Sequence, residues 1–248
     1  MRLSRSPASK RQLSLLLTLG SILVVGVLAN PATAGPIPTI KFSPPFHSAL
    51  PIAHDWRNHT SGSGSIHLYK FPASSVRSGR VAINASVAQV GRGHRTGDAD
   101  MGFALTFKVP TTRTHHVTVN WTVDWNASAN GTVATNGCRG FGCLQGVGSA
   151  HLYLYSYLLD GSNNTTLAST WITLLTLIGF RTAASTGNLT QSLALSVPLV
   201  AGHAYILRTY LRLDLYGYVL GTVKSATASA TFNLAAPNGA TLNWASVS

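Results

Sequence analysis

Three runs between residues 81 and 125 alternate apolar and polar positions with a period of two. Val81, Ile83, Ala85 and Val87 alternate with Ala82, Asn84 and Ser86. Phe103, Leu105, Phe107 and Val109 alternate with Ala104, Thr106 and Lys108. Val117, Val119, Trp121, Val123 and Trp125 alternate with Thr118, Asn120, Thr122 and Asp124. Successive side chains of a β-strand point to opposite faces, so this period predicts strands with one buried and one open face. Further strands are predicted near 64–71, 148–160, 165–179, 188–199, 204–220, 222–235 and 241–247. The apolar stretch Trp171–Phe180 has the length of a buried strand and is too short to cross a membrane. No convincing amphipathic helix and no solenoid or propeller period breaks the pattern. About ten short strands joined by polar turns predict an all-β chain, a single antiparallel β-sandwich of Greek-key or jelly-roll-like kind.

One stretch refines this. "LVAGHAYIL", Leu199 to Leu207, resembles the L-x-P-G-x-x-Y corner of fibronectin type III-like and related Greek-key sandwiches, with Ala201 where proline is usual. The resemblance implies that Tyr205, at the start of a strand, bonds back to the preceding turn. Tyr205 shares parity with Leu207, Leu211, Leu213 and Leu215. The likeness spans nine residues and implies a sandwich corner, not a function.

Residues 1–34 differ in kind. Arg2, Arg5, Lys10 and Arg11 form a basic head, Leu13 to Ala29 is an apolar run, and Ala32-Thr33-Ala34 offers small residues for cleavage before Gly35. That order is a secretory signal peptide, with an uncleaved membrane anchor as the alternative. Residues 35–63 are expected to be an extended lead-in, because Pro36, Pro38, Pro44, Pro45 and Pro51 oppose regular structure and "SGSGS" follows. Residues 64–248 are expected to form the sandwich domain. The chain carries 18 Lys and Arg against six acids, net +12. Without the leader the balance is about +8, which favours an anionic partner or simply keeps the chain soluble. All six acids are aspartates. The lack of glutamate excludes HExxH zinc peptidases and the many glycosidases that use a glutamate.

Sequence outside the core points to an exported surface. Asn-x-Ser/Thr acceptors occur at Asn58, Asn84, Asn120, Asn126, Asn130, Asn163, Asn164 and Asn188, eight among 13 asparagines. That density favours a glycosylated protein that is secreted or displayed at the cell surface. Asn163 and Asn164 overlap, so one of the two is expected to be used. Cys138 and Cys143 are the only cysteines, spaced C-x4-C among Gly137, Gly140 and Gly142. In an exported chain such a pair is expected to be a disulfide, stapling an exposed loop near 126–147 and contributing roughly 2 kcal/mol at most.

Candidate chemistry is sparse. No G-x-S-x-G elbow, phosphate loop or carboxylate pair appears, and the chain is not expected to be an enzyme. His94, Asp98 and Asp100 in "GRGHRTGDADMG" read as a polar turn rather than a cation site, and His115 and His116 as surface histidines. No metal and no cofactor is expected. The better candidate is aromatic. In "HLYLYSYLLD", His151, Tyr153, Tyr155 and Tyr157 share one strand face, opposite Leu152, Leu154 and Leu158. In "ILRTYLRLDLYGYV", Arg208, Tyr210, Arg212, Asp214, Tyr216 and Tyr218 share one face, opposite leucines. Tyrosine joins a flat apolar body to a polar tip, which suits sugar rings or a partner surface, and the arginines bias the contact towards acidic groups. The expected function is therefore a non-catalytic binding or adhesion module for a glycan or an anionic envelope component. The alternative is a structural envelope glycoprotein that associates with itself. Nothing indicates nucleic acid, and membrane attachment would come only through an uncleaved leader.

Overall fold

The alternating stretches are strands in the computed structural model, which describes residues 38–44, 50–51, 60–61, 64–69, 78–82, 84–132, 146–220, 226–234 and 239–248. Fourteen strands lie among them: β1 (Ile40–Phe42), β2 (Leu50–Pro51), β3 (Thr60–Ser61), β4 (Gly64–Tyr69), β5 (Arg80–Val81), β6 (Asn84–Val90), β7 (Gly93–Lys108), β8 (Arg113–Gly131), β9 (Gly146–Asp160), β10 (Thr166–Gly179), β11 (Thr182–Leu199), β12 (Ala204–Val219), β13 (Thr227–Asn233) and β14 (Ala240–Val247). They form two sheets. Sheet A runs β1-β14-β8-β13-β6-β4, with β11 on the other edge of β8 and β5 beside β14; sheet B runs β10-β9-β12-β7-β2, with β3 also on β7.

The long pairings are nested. β9 pairs with β10, β8 with β11, β7 with β12 and β6 with β13, all antiparallel, each pair enclosing the one before it in sequence. Alternate pairs go to alternate sheets. A chain doubled back on itself in this way and wrapped into two facing sheets is a jelly roll, which settles the choice left open between Greek-key types.

The predicted inner positions fill the space between the sheets. Trp121, Phe103, Phe232 and the leucines of β9 and β12 are fully buried, and the rings of Phe103 and Trp121 lie 5.7 Å apart. The tyrosine corner forms as the resemblance implied. The backbone N–H of Val200 donates to the Tyr205 hydroxyl at 2.7 Å, and Gly202 turns the chain at φ +75°. Tyr205 itself packs on Phe107 in the core.

Five expectations change. His115 is not a surface histidine: it takes an inner position of β8 beside Val117 and is buried, with its Nε2 2.9 Å from the Thr111 carbonyl, whereas His116 is exposed. "GRGHRTGDADMG" is not a turn, because β7 starts at Gly93 and pairs with β12 without a break; Gly97, Ala99 and Met101 take the inner positions and leave the polar residues outside. The loop expected over 126–147 is shorter, since Ala127 and Ala129 continue the buried face of β8 to Gly131 and β9 begins at Gly146. Cys138 and Cys143, and the acceptor Asn58, lie outside the described residues. The lead-in 35–63 contains β1, β2 and β3, with β1 held on β14 from Ile40↔Val247 to Phe42↔Ala245. Finally, Trp171–Phe180 is not a buried strand. Up to Gly179 it lies in β10, the edge of sheet B, where alternate side chains reach solvent and Trp171 is 55% exposed. The run is apolar because its inner residues, Ile172, Leu174, Leu175 and Leu177, pack on the core while its outer ones have no covering layer.

An aromatic face on sheet B

The two tyrosine stripes belong to one surface. β9 and β12 are hydrogen-bonded neighbours, with Tyr157 opposite Arg208, Tyr155 opposite Tyr210, Tyr153 opposite Arg212 and His151 opposite Asp214. Leu152, Leu154, Leu158, Leu207, Leu211, Leu213 and Leu215 are buried between the sheets. Parity therefore turns Tyr153, Tyr155, Tyr157, Tyr210, Tyr216 and Tyr218 outward together. Each stays half-buried against its neighbours.

The centre of this face is a row across four strands: Trp171 on β10, Tyr155 on β9, Tyr210 on β12 and Gly102 on β7. The Trp171 and Tyr155 rings lie 5.9 Å apart at 25°, and Tyr155 and Tyr210 lie 5.3 Å apart at 15°. Near-parallel rings at such separations, well beyond carbon contact at about 3.5–4.0 Å, are slipped sideways, so each leaves part of its face and its polar tip uncovered. Tyr157 stacks on both Tyr155 and Tyr210, at 6.0 and 5.8 Å. Tyr153 meets Trp171 edge-on and lies beside His151. Tyr216 and Tyr218 form a second group, 6.0 Å apart, with His94 against Tyr216. At Gly102 a side chain would collide with the backbone of Thr209 and Tyr210, so the row ends on a residue that can only be glycine.

A buried hydroxyl lies under the row. Thr209 is fully buried on the inner face of β12, directly opposite Ser156 of β9. Its Oγ1 accepts from the Trp121 indole N–H of sheet A at 2.9 Å and from the Ser156 hydroxyl at 3.2 Å, and it donates to the Tyr155 carbonyl at 3.2 Å. One donor and two lone pairs are all used. The two sheets are thereby tied at the residues flanking Tyr155 and Tyr210.

The charges on this face nearly cancel. Arg212 donates from Nε to Asp214 at 3.0 Å, and its Nη2 lies 3.8 Å from Asp98. Burial works against the Arg212 charge, but Asp214, Asp100 and Asp98 outweigh it and hold the guanidinium above its ordinary pKa. Three of the chain's six acids thus gather around one arginine, and the bias towards anionic partners that Arg208 and Arg212 implied is offset. Burial also raises the phenol pKa of Tyr155, Tyr210 and Tyr216, so these hydroxyls stay neutral donors and acceptors.

The sugar acceptors collect elsewhere. Asn120, Asn126 and Asn130 on β8, Asn188 opposite Asp124 on β11, and Asn84 opposite Asn233 all occupy the outward face of sheet A. Asn163 and Asn164 sit in the turn between β9 and β10. Among the described acceptors none lies on the outward face of sheet B. The exposed indole of Trp244 is also separate, in a shallow groove of about 380 Å³ lined by Thr39, Lys41 and Ser43.

Sequence parity finds the tyrosines but not Trp171, whose neighbours made its strand look buried. It also misses Thr209 and Ser156. Their signal is a hydroxyl residue on each of two leucine faces, a position that demands a buried partner.

No protein family and no curated protein matches the chain. Solved structures with some likeness include the enzymatically active domain of tailspike protein 4 of bacteriophage CBA120 (10% identity, 72% of this chain, TM-score 0.20), of whose length this chain spans 19%. They also include the carbohydrate-binding module TmCBM61 in complex with β-1,4-galactotriose (9% identity, 75% of this chain and 86% of that one, TM-score 0.20). A third is the VP2 protein of infectious bursal disease virus (10% identity, 79% of this chain and 35% of that one, TM-score 0.19). At these scores no functional argument passes from those proteins to this chain, and its two-sheet fold rests on its own strand pairing.

Proposed function

We propose that this chain is an exported, non-catalytic carbohydrate-binding protein whose contact surface is the outward face of sheet B. The observation that carries this reading is the row Trp171, Tyr155 and Tyr210, three slipped aromatic rings in register on adjacent strands, flanked by Tyr157. Partly open ring faces offer apolar contact to the C–H faces of sugars, and neutral phenols exchange hydrogen bonds with sugar hydroxyls. The near-balance of Arg208 and Arg212 against Asp98, Asp100 and Asp214 suits an uncharged glycan better than an acidic one. The described acceptor asparagines lie on the opposite face or in the β9–β10 turn, and none of them is on this one.

A glycan array probed with the full chain tests the reading. Binding to neutral glycans is expected, and Tyr155→Ala and Tyr216→Ala should each weaken it about tenfold, ~1.4 kcal/mol, with little change in Tm. Equal binding by these variants, or Tm losses with no change in binding, would show that the tyrosines serve packing alone. Release of sugar fragments from a retained glycan would overturn the non-catalytic part.

A further inference from the structure

The flank of the jelly roll where β10 and β11 lie side by side is open in three ways. No described strand pairs with the outer edge of β10, which leaves a ladder of backbone donors and acceptors along 14 residues. The side chains there are apolar and uncovered: Leu167 is 42% exposed, Trp171 55%, Ile178 46% and Phe180 48%. The mouth between the sheets is not closed either, since Ile172, Leu174, Leu175 and Leu177 of β10, which pack on the core, are only half-buried, and Leu189, on the same strand parity as the buried Leu193 of β11, is exposed.

Charge says what fits. Neither β10 nor β11 contains an aspartate, glutamate, lysine or arginine. Edge strands ordinarily resist further pairing through charged residues, above all lysine. In a chain that stays basic without its leader, at about +8, two copies repel one another wherever their basic residues meet, so the charge-free length of β10, with Arg181 beyond its end, is where they can approach. We infer that β10 is a homodimer interface, in which β10 pairs antiparallel with β10 of a second copy about a twofold axis perpendicular to sheet B. A twofold contact asks only that one patch complement itself, which an uncharged apolar strand does. The occupant supplies the missing hydrogen bonds, and its own half-open core edge covers this one. β11 is the poorer edge for this, because of the exposed large apolar side chains only Leu189 lies on it, against Leu167, Trp171 and Ile178 on β10.

The geometry has a consequence for the aromatic face. A twofold axis perpendicular to the sheet keeps both outward faces on the same side. The exposed Trp171 then stands at the seam, and the two rows join across it.

Sedimentation velocity on the full chain tests the inference without any ligand, so its outcome is independent of what sheet B binds. The wild type is expected to run as a dimer that dissociates on dilution. Thr173→Lys, exposed beside the midpoint of β10, should run as a monomer with Tm within about 2 °C of wild type. A wild type that stays monomeric at every soluble concentration overturns the interface. So does a Thr173→Lys variant that folds and dimerises as the wild type does. If that variant does not fold, hydrogen exchange of the wild type decides. Protection of the Thr166–Gly179 amides that rises with concentration supports β10, and concentration-dependent protection elsewhere overturns it.

Discussion

At the scale of single residues, the buried hydroxyl of Thr209 is the most sensitive point. Thr209→Val keeps the shape and removes an oxygen that two donors use, leaving the Trp121 indole N–H and the Ser156 hydroxyl without a partner in the core. A loss of about 2–3 kcal/mol is expected, read as a lower midpoint in denaturant unfolding, whereas Thr209→Ser should recover most of it. Asp160 gives a prediction in pH. Hydrogen bonds from the Ser162 hydroxyl and N–H, with His203 at 3.1 Å, lower its pKa from 3.8 to about 2. A depressed carboxylate contributes stability that is fully present above 3.8 and is lost as pH falls through 2. The melting curves of wild type and Asp160→Asn should therefore differ at neutral pH and converge on acidification across that window. The overlapping acceptors are also told apart. Asn163 is exposed and uses its Oδ1, which accepts from the N–H and hydroxyl of Thr165, to hold the turn, whereas Asn164 is held at φ 59°. Glycopeptide mass spectrometry of protein from a glycosylating host should find sugar on Asn163 in preference to Asn164.

At the scale of elements, partner strands decided what composition could not. β8 and β12 were legible because valines, leucines and tryptophans alternate cleanly with polar residues along them. The first half of β7 was not, since Gly97 and Ala99 give almost no hydrophobic contrast, and its strand character comes from an unbroken register with β12. β10 failed in the opposite sense. Its apolar residues fall on both faces, which in sequence looks the same whether the strand lies inside a sheet or at its edge. The tyrosine face was legible from parity alone. That both stripes are adjacent, that Trp171 extends their row and that three aspartates surround Arg212 depends on strand order, which no local pattern encodes. Gly102 marks the same dependence. Gly102→Ala should displace β7 from β12 and lower Tm by several degrees, although in sequence it is one glycine among 23.

At the scale of the whole molecule, the faces divide the work: most of the described acceptor asparagines are on sheet A, aromatics with balanced charge on sheet B, and two charge-free strands, β10 and β11, on the flank between. Because the described charges beside the aromatic row nearly balance, binding to a neutral glycan should change little between low and physiological salt, whereas a steep fall would mark an anionic ligand. The nested pairing also sets an order of events in folding. Of the four nested pairs, only β9 with β10 closes through a short turn; each enclosing pair must close a longer loop than the last, out to β6 with β13. Loop-closure entropy then favours a zipper that starts at the β9–β10 turn and runs outward, in milliseconds to seconds for so non-local a topology. The strands that present Tyr155 and Trp171 would thus be the first to meet, and the recognition surface would take shape before the sandwich that supports it has closed.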